Sequence, residues 1–239
     1  MKRLHLTLPS PAENLACDEG LLDWCEAGHG DEVLRFWESP EPFVVVGYAN
    51  KVSTEADVDA CNANQIPILR RCSGGGTVVQ GPGCLNYALV LSLTGRSTLH
   101  SISATNQSIM ERHRSALESL LGRRVVISGH TDLVVDGLKF SGNSQRRRKR
   151  FVLFHGTFLL NFDLTLISKL LPLPSKQPAY RAGRTHDEFL TNLGVSRDKL
   201  EAVLARFWNA RDELSNAPFD HIAELARSKY GTREWNFRL

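Results

Sequence analysis

Apolar positions along this chain follow two rhythms, short continuous runs and longer stretches of helical spacing. Residues 33–37, interrupted by Arg35, and residues 43–46, 66–69 and 88–91 are mostly apolar runs, and they predict short strands. Ser39-Pro40-Glu41-Pro42 is the turn between the first two. Upstream, Ser10-Pro11-Ala12-Glu13 is a capping box with proline at the first helical position, and Leu15, Ala16, Leu22 and Cys25 continue it at helical spacing. Ile102, Ile109, Ala116, Leu117, Leu120 and Leu121 keep a 3.6-residue period, which predicts a helix over 101–121 that Gly122 closes.

Residues 125–127 predict a strand, and 132–140 a hairpin with Asp136-Gly137 at its tip. Strand side chains alternate between faces, so if Leu138 and Phe140 pack inward, Lys139 points to the other side, into whatever cleft lies there. Residues 151–154 and 157–160 predict two strands flanking His155-Gly156, and 164–171 a short helix. Pro172, Pro174 and Pro178 mark a loop, and helices over about 196–208 and 219–230 close the chain. No internal repeat or low-complexity linker interrupts the order.

Length and composition narrow the class. At 239 residues, 42% hydrophobic and 23% charged, the chain suits one large soluble domain spanning 1–239. A net charge of +3 does not argue for a nucleic-acid protein. The run Arg146-Arg147-Arg148-Lys149-Arg150 has no interleaved aromatics; it suits a solvated loop or docking to an acidic protein better than RNA. No apolar run is long enough to span a membrane and the N-terminus lacks a signal-peptide core, so a cytoplasmic location is expected. Five cysteines, Cys17, Cys25, Cys61, Cys72 and Cys84, form no C-x-x-C pair and fit neither a disulfide framework nor a zinc site.

The candidate chemistry sits in the stretch from Arg70 to Tyr87, which packs two arginines, a hydroxyl and five glycines, Gly74-Gly75-Gly76 among them, between two apolar runs, with Cys72 and Cys84 inside it. Three successive glycines let backbone N–H groups approach a phosphate or carboxylate, and Arg70 or Arg71 offers a planar fork to the same anion. The stretch is neither a P-loop nor a dinucleotide fingerprint. A flexible turn is its simpler reading, and the loop alone does not decide between them.

Four motifs in order decide more. Arg70 to Gly76 reads R-R-x-S-G-G-G, Asp132 to Lys139 reads D-L-x-x-x-G-x-K, Ser141 to Arg146 reads S-G-x-x-x-R, and His155 to Thr157 reads H-G-T. Together with Asn14-Leu15-Ala16 and the segment Arg184 to Phe189, they resemble the lipoate-protein ligase family over nearly the whole chain. The resemblance implies a mixed α/β fold, the biotin and lipoate ligase-type catalytic domain with mixed sheets flanked by helices, without an accessory domain. It implies ATP, Mg2+ and lipoate as reactants, and a lipoyl-adenylate passed to a lysine of a lipoyl carrier domain, a dehydrogenase E2 subunit or a glycine-cleavage H-type protein. A separate accessory polypeptide and a monomeric enzyme are further expectations.

Carried onto this sequence, the resemblance makes Lys139 the cation at the reacting phosphate and Asp132 its neighbour at adenylate, metal or incoming lysine. Arg71, Ser73, Gly74, Gly75, Gly76, Gln80, Gly142, His155 and Thr157 would hold substrate or adenylate, with Val78 in the acyl slot and Cys84 as a pocket-lining residue. His155 also reads as a core histidine. No metal ligands are assigned. Where family members carry H-D-x-G-N, this chain has Gln80-Gly81-Pro82-Gly83-Cys84, so a cysteine takes the asparagine's place. Related octanoyltransferases use a thiolate nucleophile, which opens an ATP-free reading. Their cysteines lie well downstream of the lysine, however, and this chain has none after Cys84. An RNA-binding module resting on Arg146 to Arg150 is the reading from another class.

Overall fold

In the computed structural model, which describes residues 1–239, the apolar runs become strands of two sheets. The strands are β1 (Lys2–His5), β2 (Val33–Trp37), β3 (Phe43–Val46), β4 (Ile68–Arg70), β5 (Val78–Gln80), β6 (Cys84–Ser92), β7 (Val126–Ser128), β8 (Asp132–Val135), β9 (Leu138–Arg147), β10 (Phe151–Leu159) and β11 (Asp212–Glu213). The large sheet runs β11-β1-β2-β6-β10-β9-β8-β7, and the small one β4-β3-β5. Parallel pairing is confined to β11-β1-β2 and β3-β4. The mixed α+β class expected from the sequence is what the chain adopts.

Side-chain alternation divides the large sheet between two cores. On β6, Leu85, Tyr87, Leu89 and Leu91 face a core completed by the helices Ile102–Leu121 and Arg197–Phe207. Ala88 and Val90 face the opposite core, under the helix Pro11–Glu26. That helix has the capping box its sequence announced: Ser10 Oγ accepts from the Glu13 amide, and the Glu13 carboxylate accepts from the Ser10 amide. It is buried nearly all round, between the sheet and the helix Phe219–Leu225. A Cβ at Gly20 would come within 2.9 Å of Ile222, so glycine there sets how closely the two helices approach.

Three sequence expectations change. Residues 151–160 do not form two strands around His155-Gly156; β10 is continuous, because Gly156 keeps its register opposite Tyr87 and Asn143. A Cβ at 156 would lie 1.9 Å from Asn143 Oδ1, so only glycine lets the strand pass. The closing helix ends at Leu225 and continues as a wider turn over Ala226–Tyr230. The basic run is not a solvated loop throughout. Arg146 lies over the Tyr48 ring, Arg147 donates to Thr105 and the Leu99 carbonyl, and Arg148 pairs with Asp23.

The hairpin tip is as expected, with Asp136 (φ 50°) and Gly137 (φ 79°) both left-handed. No helix is long and apolar enough to cross a membrane.

Candidate active site

Antiparallel register places five residues in one transverse row on the same face of the large sheet. Trp37 is opposite Asn86, Asn86 opposite Thr157, Thr157 opposite Gly142, and Gly142 opposite Asp132. At the usual strand spacing the row is about 19 Å long. All five line a cavity of about 590 Å³.

One end of the row is charged. Lys139 Nζ lies 2.8 Å from Asp132 Oδ1, and both side chains are largely covered. Phe140 is fully buried behind the sheet and unpaired at a bulge opposite Leu133 and Val134, and this shift brings Lys139 to the same cavity side as Gly142. Gly142 leaves room for the pair, since a Cβ there would sit 3.0 Å from Nζ. The second Asp132 oxygen accepts from Tyr180 at 2.7 Å. Burial, reinforced by this carboxylate, pushes the Tyr180 phenol well above its usual value, so it stays protonated and donates.

The glycine loop lies over the same face. Its carbonyls turn inward: Arg71 donates to Gly74 O and Gly76 O, Asn50 to Gly75 O, and Ser144 to Gly74 O. The amides of Gly74, Gly75 and Gly76 donate to no group of the protein. Gly75 is left-handed at φ 86°, and a Cβ at Gly74 or Gly76 would meet nothing within 4 Å. With carbonyls held back and amides left over, the loop presents N–H groups that can receive an anion. Burial lowers the Arg71 guanidinium to about 10, still charged at neutral pH.

A second row, two residues along each strand, supports the loop. Arg35, Ala88, His155 and Ser144 are successive register partners. His155 Nε2 is 2.5 Å from Ser73 Oγ and Nδ1 is 2.9 Å from Asp18 Oδ2, while Asp18 Oδ1 accepts from Arg35 at 2.6 Å. The two readings of His155 therefore hold together: it is buried and fully paired, and it borders the cavity.

Of the residues singled out from sequence, Arg71, Gly75, Gly76, Val78, Gln80, Asp132, Lys139, Gly142, His155 and Thr157 line the cavity. Ser73 sits behind it on His155. Arg70 does not face an anion; its guanidinium is buried on the carbonyls of Gly47, Tyr48, Asn50, Trp235 and Asn236. Cys84 does not line the pocket either. It packs in the core beneath the small sheet with Val44, Val46 and Leu170, because alternation points it away from the Leu85 side and the strand start carries it beyond the cavity.

All five thiols are buried and none lines the cavity. Burial raises Cys17 to about 11, Cys25 and Cys72 to about 12, and Cys84 higher still. Trp37, Asn86, Asp18, Lys176 and Arg181 border the cavity without having been singled out, and Tyr180 reaches it only through its bond to Asp132. Asn86 carried the clearest signal, a lone amide inside the apolar run Leu85 to Leu91. Tyr180 and Arg181 lie in a proline-rich loop, which periodicity does not read.

No cluster of three or more His, Cys, Asp or Glu side chains gathers to hold a metal ion. The carboxylates bordering the cavity are Asp18 and Asp132. That set fits Mg2+ only as a companion of phosphate oxygens, with one or two protein carboxylates.

Residues 10–200 match the model of the lipoyl protein ligase A/B catalytic domain. The chain belongs to this family. An octanoyltransferase LipM of Carboxydothermus hydrogenoformans is 29% identical over 96% of this chain and 96% of its own. A bi-partite lipoate protein ligase of Thermoplasma acidophilum, solved in a study that included its E2 lipoyl domain, superposes with a TM-score of 0.83 at 25% identity, covering 99% of this chain and 95% of that one. A lipoate-protein ligase A bound with ATP superposes equally well, TM-score 0.83 at 25% identity over 99% of both chains. The family thus contains both transferases and ligases, and the chain is an enzyme of this ligase and transferase group.

Proposed function

We propose that this enzyme activates lipoate with ATP and passes the lipoyl group to a lysine of a lipoyl carrier domain. One observation carries the choice of ligase over transferase: the cavity joins free glycine amides to a lysine, while every thiol of the chain is buried outside it. A thioester mechanism needs a reachable thiolate, and these thiols are held protonated by burial.

The acid's carboxylate attacks the α-phosphorus of ATP, a P–O bond forms, and pyrophosphate departs. Negative charge grows on the phosphoryl oxygens, where Lys139 and the loop amides supply fixed positive charge and dipoles. Mg2+, bound with the nucleotide beside Asp132, would neutralise phosphate charge. The ion pair with Asp132 orients Lys139 Nζ before the step. The carrier's lysine then attacks the acyl carbonyl, the amide forms and AMP leaves. Lys176 and Arg181 extend the positive lining towards the nucleotide. By analogy with the bi-partite relative, an E2-type lipoyl domain is the acceptor, and a separate polypeptide assists activation. We place the enzyme in the cytoplasm as a monomer.

The test is incubation with lipoate, Mg-ATP and a lipoyl carrier domain, repeated with the accessory polypeptide of the bi-partite type. Pyrophosphate release and one added lipoyl mass on the carrier are expected. Transfer from an octanoyl carrier protein without ATP, with no reaction of the free acid, would replace this reading by the transferase.

A further inference from the structure

Joining the carrier's lysine to the acyl group requires a base near the reacting end. The lysine arrives as an ammonium and ends as an amide, so its nitrogen sheds two protons. One leaves to water before attack. The other leaves as the C–N bond forms and the acyl C–O bond to AMP breaks, with AMP departing as its anion. Among side-chain types, imidazole has the basicity that suits this second transfer near neutral pH.

Few groups bordering the cavity are free to act. Asp132 has both oxygens engaged, one by Lys139 and the other by Tyr180. Asp18 is buried on Arg35 and His155, and His155 has both ring nitrogens bonded, to Asp18 and Ser73. Burial keeps the Tyr87 phenol protonated, and the lysines and arginines of the lining are donors without an acceptor. His130 differs from all of these. It borders the same cavity, it is exposed, and its imidazole makes no hydrogen bond or ion pair with the protein.

The fold fixes where His130 stands. Ser128 and Asp132 are register partners of β7 and β8, so Gly129-His130-Thr131 is the turn between them. Gly129 takes the left-handed φ of 57° that lets the chain reverse. Two bonds pin the turn to β9: Thr131 Oγ1 donates to the Asn143 carbonyl at 2.6 Å, and Asn143 Nδ2 donates to the Thr131 carbonyl at 2.7 Å. His130 is two residues from Asp132, and two residues of chain span at most about 7 Å. Because Lys139 and Asp132 are largely covered and His130 is exposed, the imidazole lies on the solvent side of that pair, where a carrier's lysine enters.

We propose that His130 is the general base of the transfer step, taking the proton that the attacking nitrogen loses as the amide forms and passing it to solvent. The proposal rests on the ligase reading for the acyl-adenylate that is attacked. It also divides the reaction in two. In adenylation the acid attacks as a carboxylate and has no proton to lose, so His130 has no proton to take there. In transfer, a positioned base contributes about a hundredfold or more.

The experiment measures the two half-reactions of the full-length protein separately. Chemically prepared lipoyl-adenylate and an unmodified lipoyl carrier domain report transfer, and lipoate-dependent ATP–pyrophosphate exchange reports adenylation. In His130→Gln, transfer is expected to slow about a hundredfold while exchange changes less than about threefold. Transfer by His130→Ala is expected to recover at least about tenfold when imidazole is added, a rescue that a residue shaping only the turn would not show. Urea midpoints check that both variants fold. Transfer at the wild-type rate in a folded variant would overturn the base and leave that proton to the phosphate of the adenylate. A loss shared equally by exchange, or one that imidazole does not relieve, would overturn it as well and make His130 structural. The ligase reading fails differently: a wild type that transfers from prepared adenylate without pyrophosphate exchange keeps the base and removes activation by ATP, whereas a wild type that does not use the adenylate removes both.

Discussion

Two neighbouring rows on one face of the sheet treat their polar atoms in opposite ways. In the row of Arg35, Ala88, His155 and Ser144, both His155 nitrogens are paired and the guanidinium donates to Leu6, Asn14 and Asp18. Ser144 closes the set on Gly74 O. In the row of Trp37, Asn86, Thr157, Gly142 and Asp132, one end leaves the buried Trp37 Nε1 and Asn86 Nδ2 unpaired and the other holds a lysine beside a single carboxylate. A closed network rigidifies, and an open one waits for a ligand. The first row is scaffold for the glycine loop; the second is the candidate site.

The largest effect should come from breaking the closed row. Arg35→Met leaves Asp18 buried without its cation and should cost about 3–5 kcal/mol of stability, read from urea unfolding. A loss under about 1 kcal/mol, the scale of an exposed pair, would show that the row does not scaffold the loop.

Next comes the open row. Lys139→Ala should slow adenylate formation at least about a hundredfold, on the scale of losing one transition-state contact worth ~2.7 kcal/mol. The unfolding midpoint should barely move, since Lys139 borders a cavity and packs no core. Near-normal pyrophosphate release by the variant would remove the lysine from its role.

Legibility in the sequence followed the same division. The Ser10 capping box, the Asp136-Gly137 turn and the helix Ile102–Leu121 were readable because each depends on neighbours within a turn or two. Lys139 was readable from strand alternation, and the fold from four motifs in order. The rows were not, because register across β2, β6, β10, β9 and β8 makes direct partners of row residues as far as 71 positions apart. For the same reason Asp18 and Trp37 went unnoticed, and Arg70 and Arg71 looked equivalent until one proved to be tied to the C-terminal segment and the other to the loop. The short helices Val52–Glu55 and Val58–Ala63 have too few residues to show a period.

A third, smaller effect separates the two faces of the sheet. His113 lies behind the site against Tyr87 and Trp208, with both ring nitrogens unpaired, and burial lowers it to about 3. The folded state keeps it neutral while the unfolded chain protonates near pH 6.5, so the unfolded state binds the extra proton between those values. Its contribution is complete above pH 6.5 and falls as pH drops towards 3, by at most about 1.4 kcal/mol per pH unit. His113→Leu should flatten the stability profile in that window by one proton, measured by urea midpoints at pH 4, 5, 6 and 7. An unchanged slope would mean that the imidazole is charged in the fold.

The smallest effect on activity is expected at Cys84, the residue on which ligase and transferase readings differ most. A nucleophilic thiolate must reach the acyl donor, but Cys84 is fully buried among aliphatic side chains and burial holds it protonated. Cys84→Ser should therefore cost some stability and spare turnover: a hydroxyl in this apolar core has the Gly81 backbone amide as its one partner, so the cost is about 1 kcal/mol, and the ATP-dependent rate per folded molecule stays at the wild-type level. Intact-protein mass spectrometry of the wild type after exposure to an octanoyl carrier protein should show no acyl adduct. A hydroxylamine-labile adduct on Cys84, together with a dead serine variant that still folds, would mean that the core opens to expose the thiol, and the reaction would then be acyl transfer through the enzyme rather than adenylation.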